Sequence, residues 1–386
     1  MTDMTKCLLL SALVFLVACG TGNIEEPLTD APYDSACDAD GSEVGYLVDG
    51  DPCDRLSSYG FFTEELAAQT PASGVIPYAI NTPLFSDYSA KDRFIWMPEG
   101  TSAGYVTDTT FSFPVGTVLI KTFSFAHDLR TPEAGRRIIE TRLLVHEKDG
   151  WTGYPYVWND DQTEAHYRRV GAAVDVSWTH HDGSEKSIRH RVPNINDCKA
   201  CHATDSKNMA PIGPASRYLD MTFEYSDGVE NQLDHWAGVG YLSDLSAPAD
   251  RPTPVDWKNA ADFTIEERAR TYLDINCAHC HNGTGQGRSS GLYLDYSEKP
   301  VAEMTTDQRR RIGVCKYPIA SGQGSGGRKH VIVPGEPDES IFVYRLEATA
   351  LSEMMPELGR SLVHAEGVEL VREWVSSLAG LETCPE

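Results

Sequence analysis

Two Cys-x-x-Cys-His pentapeptides, Cys198-Lys199-Ala200-Cys201-His202 and Cys277-Ala278-His279-Cys280-His281, constrain this chain more than any other feature. In each, two intervening residues let both thiols reach one edge of a flat macrocycle, and the adjacent His sets an imidazole nitrogen below the central metal. That is the attachment chemistry of haem c. The pattern predicts two covalent haems, bonded through Cys198, Cys201, Cys277 and Cys280, with His202 and His281 as the proximal iron ligands. The competing readings are zinc knuckles and redox disulfides. A zinc ribbon keeps its two cysteine pairs within about twenty residues of each other, whereas these flank a long intervening segment. A thioredoxin-like site needs one motif in a βαβ setting and gives no reason for His after both.

A haem that shuttles electrons without binding oxygen needs a second axial contact, and a thioether there raises the reduction potential. Met355 in Met354-Met355-Pro356-Glu357 is the candidate for the second haem, with Met354 as the alternative. Pro356 fixes the loop so that sulfur can face iron. For the first haem, Met209 follows His202 so closely that the connecting chain reaches at most about 25 Å when extended. That disfavours it. His235, in Asp234-His235-Trp236, is the preferred ligand, with Met221 or an open position as alternatives.

The N-terminus carries Lys6, an apolar run from Leu8 to Ala18, and then Leu16-Val17-Ala18-Cys19-Gly20. The run is a secretory signal too short to span a bilayer, and its end has the form of a lipobox with Cys19 as the lipid attachment point. Gly20 after the cysteine points to the outer membrane. The expected location is therefore outside the cytoplasm, lipid-anchored, in an oxidising compartment. Of ten cysteines, Cys37, Cys53, Cys315 and Cys384 remain after the signal, lipid and haem positions are assigned. An even remainder suggests disulfides, most simply Cys37 with Cys53 and Cys315 with Cys384. With 57 acidic against 33 basic residues the formal charge is -24, which repels phosphate backbones and excludes nucleic acid as a partner. A basic redox partner protein fits that charge, as does membrane contact through lipid alone.

The fold class expected is α+β and multidomain. Residues 1–18 form the signal and 19–60 an acidic tether, in which no Lys or Arg occurs from Gly20 to Asp54. Residues 61–192 read as a β-rich domain, sandwich or barrel-like, from β-branched and aromatic segments such as Thr117–Phe123 and Arg137–Val145. The triplets Pro98-Glu99-Gly100, Lys148-Asp149-Gly150 and His181-Asp182-Gly183 punctuate them as turns. A first haem region over 193–246 and a Pro-rich linker over 247–263 follow. In 264–386, Thr264 with Glu267 forms a capping box, and Val368, Val371, Trp374, Val375 and Leu378 recur at helical spacing. Two terminal helices around a haem make this part resemble a class I cytochrome c domain.

From about Ile76 onward the chain also resembles a bacterial family of diheme c-type cytochromes, many of them lipoproteins. The likeness rests on Asn81-Thr82-Pro83-Leu84-Phe85-Ser86-Asp87-Tyr88, Val192-Pro193-Asn194, Pro211-Ile212-Gly213-Pro214, and the run from Tyr272 to His281. It also takes in Pro334-Gly335-Glu336-Pro337 and Met354-Met355-Pro356-Glu357-Leu358-Gly359-Arg360. The resemblance implies haem c binding and electron transfer, and it supplies no substrate. The alternative is a diheme peroxidase or oxidase with one open iron; a third reading makes the β-rich domain a ligand-binding module.

Overall fold

The computed structural model describes Cys37, Val44 and residues 51–205, 208–319 and 322–386. The signal, Cys19 and most of the acidic tether lie outside the described residues. Six strands form an antiparallel sheet in simple sequential order: β1 Val75–Tyr78, β2 Ala90–Trp96, β3 Val118–Ala126, β4 Arg136–Glu147, β5 Gly150–Trp158 and β6 Ala165–Tyr167. Each follows from runs of β-branched and aromatic residues, and the β4–β5 turn uses Gly150 at φ 119°, a region open to glycine without penalty.

Successive side chains point to opposite faces, and both faces are covered. Phe94, Val118, Ile120, Leu143, Val145 and Tyr156 meet Leu56, Tyr59 and Phe61 from the preceding segment, with the Cys37–Cys53 disulfide in the same core. The other face carries Ile76, Ile95 and Leu119 against Tyr218, Leu219, Leu233, Trp236 and Ile275. The sheet is therefore an open meander between irregular and helical layers, and not a closed barrel or two stacked sheets. Burial on both faces explains why β3 is apolar with little alternation. A hairpin, β7 Ala172–Thr179 and β8 Glu185–Val192, packs Val176 and Trp178 on Phe125 and Ile139.

Helix α1, Ile195–His202, follows β8 directly. A second hairpin, β9 Thr222–Tyr225 and β10 Gly228–Asn231, leads into α2, Gln232–Gly238. The Pro-rich stretch after it is packed: Val255 and Trp257 are buried, and Arg251 pairs with Asp220 and Asp234. Helix α3, Ile265–Leu273, starts at the capping box of Thr264 and Glu267, a feature worth about 1 kcal/mol. Helices α4, Ile341–Glu347, and α5, Ala365–Ser377, complete the C-terminal core, where Tyr272 and Leu273 meet Phe342, Leu346, Val371 and Trp374. The Cys315–Cys384 disulfide closes this core. The described residues belong to one compact unit.

Candidate functional site

The first motif sits on α1. Asn194 caps it, its side-chain oxygen accepting from the Asn196 and Asp197 amides at 2.8 and 3.0 Å, while Asp197 accepts from the Asn194 amide. Cys198, Cys201 and His202 fall three and four residues apart and so share one helical face. The face lies on β5 at Gly153, where a Cβ would stand 3.0 Å from the Cys198 sulfur; glycine is needed for that close approach. His202 donates from Nδ1 to the Ala210 carbonyl at 2.8 Å, which leaves the Nε2 lone pair for a metal. The segment carrying Met209 thus lies on the Nδ1 side of the ring, away from Nε2.

The second motif follows α3 through a π-helical turn, Asp274–Ala278. Phe85 donates its amide to Asn276 Oδ1 at 2.8 Å, and Asn276 donates to the Tyr272 carbonyl at 2.9 Å. His281 Nδ1 lies 3.2 Å from Ser290 Oγ, and that hydroxyl donates to the Gly287 carbonyl at 2.6 Å. Ser290 must therefore accept from Nδ1–H, so His281 also keeps Nε2 free. A Cβ on Gly285 would stand 2.5 Å from the Cys280 carbonyl oxygen, and one on Gly287 2.9 Å from His281 Nδ1. Cys277, Cys280, His281, Leu292, Phe342 and Met355 line a cavity of about 400 Å³, within the range of small-molecule sites. Burial lowers both His202 and His281 to about 4, so each imidazole is neutral, as a metal ligand must be.

The two motifs meet. The Cys280 thiol lies 3.5 Å from the Ala200 carbonyl, across 80 residues of sequence, and Gln286 donates to the Lys199 carbonyl at 3.3 Å. As free thiols, Cys280 donates to Cys201, which with help from His279 holds Cys201 down to about 4 and pushes Cys280 up. Cys198 and Cys277 are raised by burial, Cys277 to about 12. His279 stands at this junction with a buried Nδ1 that has no partner among the described residues. Its place inside the second motif is the only signal the sequence offers for it.

Met355 lines the cavity with His281, whereas Met354 is 2% exposed and does not. Two clamps hold the Met355 loop. Arg360 donates from Nε and Nη2 to the Met355 carbonyl at 3.1 and 2.8 Å, and from Nη2 to the Ala348 carbonyl at 2.9 Å. Asp87 accepts from the Ser361 amide and hydroxyl and from the Leu362 amide, at 2.7 to 2.9 Å. Residues Asp87 and Arg360 lie in two of the six stretches that carry the family resemblance, although the sequence gives them no such role. His235 belongs to α2, stacked 3.6 Å from Tyr225 with Nδ1 2.9 Å from Glu230. Among the described contacts none joins His235 or Met221 to the first motif.

Among the described residues no three His, Cys, Asp or Glu side chains converge as a self-sufficient metal site; a haem iron, which takes four bonds from its porphyrin, asks for two at most. Paired thiols, imidazoles with free Nε2 and a cavity reached by a thioether fit that group. No described helix is long and apolar enough to cross a membrane. No family model, curated protein or solved structure matches the chain.

Proposed function

We propose that this chain is a diheme c-type cytochrome that transfers electrons outside the cytoplasm. The observation that carries the reading is the contact between the motifs: two thiol pairs remote in sequence are brought edge to edge, each with an imidazole oriented by a second hydrogen bond. Haem c, when bound, supplies reversible one-electron chemistry. The residues of the chain do the rest. Cys198, Cys201, Cys277 and Cys280 fix two attachment edges side by side, the geometry a relay needs. His202 and His281 present Nε2, Met355 offers a soft sulfur to the cavity that His281 also lines, and Arg360 and Asp87 hold that sulfur's loop in place.

The shared core of α3 and α5 supports reading 264–386 as a class I cytochrome c-like domain, and the N-terminal sequence supports export, with Cys19 lipidated in the outer membrane. The acidic surface favours a basic redox partner and a salt-sensitive encounter. The test is an alkaline pyridine haemochrome assay with reduced spectra taken with and without carbon monoxide. Two covalent haems per chain and no carbon monoxide shift at the second haem are expected. A chain without covalent haem overturns the reading, and a carbon monoxide shift at one haem, the mark of one open iron, moves it to the peroxidase or oxidase class.

A further inference from the structure

On the sheet face beneath the first motif, Arg93 of β2, Lys121 of β3 and Arg142 of β4 are direct cross-strand partners. Cross-strand partners project to the same side, and like charges directly opposite one another destabilise a sheet. Lys91, two residues before Arg93, points the same way. Lys91, Lys121 and Arg142 stand 5.9, 4.9 and 4.2 Å from the centre of the Phe123 ring. The carboxylate set among them is Glu140, already bound by Arg142 at 2.6 Å and His190 at 2.8 Å. Asp87, which lies nearby, is committed to Ser361 and Leu362. Arg93 is 8% exposed, and its Nη2 is buried without a partner among the described residues. Lys121 makes no ion pair among the described residues. So strong a local excess of positive charge, in a chain of charge -24, calls for an anion that the protein itself does not provide.

We propose that Arg93, Lys121 and Arg142, with Lys91 beside them, form an anion site for carboxylate or phosphate groups lying between the sheet and the first motif. Guanidinium forks suit planar or tetrahedral oxyanions, and Lys121 adds a point charge between them. The charge of Arg142 is felt at Cys198 and Cys201, and that of Lys121 at His202, so the site adjoins the first attachment edge. One chemistry has two sources. The carboxylates can be the propionates of a haem on Cys198 and Cys201, which rests on the diheme reading, or those of a free small anion, which does not.

Thermal unfolding of the mature full-length protein distinguishes them, comparing the parent with Lys121→Met in chloride and in inorganic phosphate at matched ionic strength. The comparison is repeated in a Cys198→Ser/Cys201→Ser background, and covalent haem is counted in every preparation. If the chain's own haem supplies the anion, Lys121→Met lowers the melting temperature by several degrees in chloride. That loss vanishes in the serine background, and Lys121→Arg keeps the parent value. If the anion is free, phosphate raises the parent's melting temperature saturably in both backgrounds and leaves Lys121→Met unmoved. A melting temperature that rises in Lys121→Met under every condition, with phosphate no better than chloride, overturns the proposal, because the cations then only repel one another. Lys91→Met repeats the comparison if Lys121→Met does not fold. A chain without haem ends the diheme reading and leaves the phosphate arm to decide the anion site.

Discussion

Asp87 is the residue whose removal tests most directly how the loop behind Met355 is held. The residue is 5% exposed, and its carboxylate accepts from the Ser361 amide, the Ser361 hydroxyl and the Leu362 amide. Hydrogen bonds to a charged acceptor contribute about 1.5 to 3 kcal/mol each, but three on one carboxylate overlap and water reaches part of the vacated site. A total of about 3 to 5 kcal/mol is expected for Asp87→Ala, including roughly 1 kcal/mol because its backbone, at φ 51°, is left-handed and disfavours alanine. Asn tolerates that backbone and keeps one oxygen acceptor, so Asp87→Asn should cost about 1 to 2 kcal/mol. Urea unfolding at pH 7 measures both. If the proposed haem is bound there, its spectrum gives an independent readout, since a loosened Ser361–Leu362 segment would free Met355 and admit carbon monoxide. Should Asp87→Ala unfold within about 0.5 kcal/mol of the parent with an unchanged spectrum, the loop is held by Arg360 alone and the clamp reasoning fails.

Replacing Met355 by Ala should open the second iron to carbon monoxide, and Met355→His should keep a low-spin haem at a lower potential; an unchanged potential in both shifts the assignment to Met354. His281→Ala should abolish one low-spin signal and leave the other, read by electron paramagnetic resonance. Gly285→Ala drives a methyl group into the Cys280 carbonyl and should cost about 2 kcal/mol or more in urea unfolding, with incomplete attachment at Cys280. Burial lowers His364 from 6.5 to about 4, so the unfolded chain binds the extra proton between those values. Its contribution, about 3 kcal/mol when complete, is full above pH 6.5 and falls with pH, with roughly 2 kcal/mol lost by pH 5. His364→Gln should flatten that part of the stability profile.

Local features were legible in the sequence. The capping box at Thr264, the turns at Gly100, Gly150 and Gly183, the strands through Phe123 and Val145, the C-terminal helix and both disulfide pairings appear where residue chemistry puts them. What escaped reading depends on three-dimensional register. Arg93, Lys121 and Arg142 look like unremarkable strand charges until three strands are aligned. Apolar residues on both sides of β3 gave no clue to whether a second sheet or helices would cover it. The segment after Ala247 reads as a linker from its prolines, but Val255 and Trp257 are buried, and two large apolar side chains outweigh the composition around them. His235 has suitable chemistry and sufficient reach, but it sits in α2 beside Tyr225 and Glu230, and no described contact joins it to the first motif.

The π turn between α3 and Cys277 carries one further consequence. Each residue added to or taken from a helix rotates everything beyond it by about 100°, and a π turn holds one residue more than the α-helical path. Adding a further residue between Leu273 and Cys277 would swing the second thiol pair around the helix axis, away from Ala200 and Cys201, whereas deleting one is taken up as the π turn closes to an α-helical one. The stretch therefore has one residue of slack in one direction only, towards a shorter chain. Proteins that keep the two attachment edges in contact should show no insertions between Leu273 and Cys277, and a single deletion there should coincide with loss of the π turn, a constraint on spacing that an alignment of such chains would expose without any measurement on the protein itself.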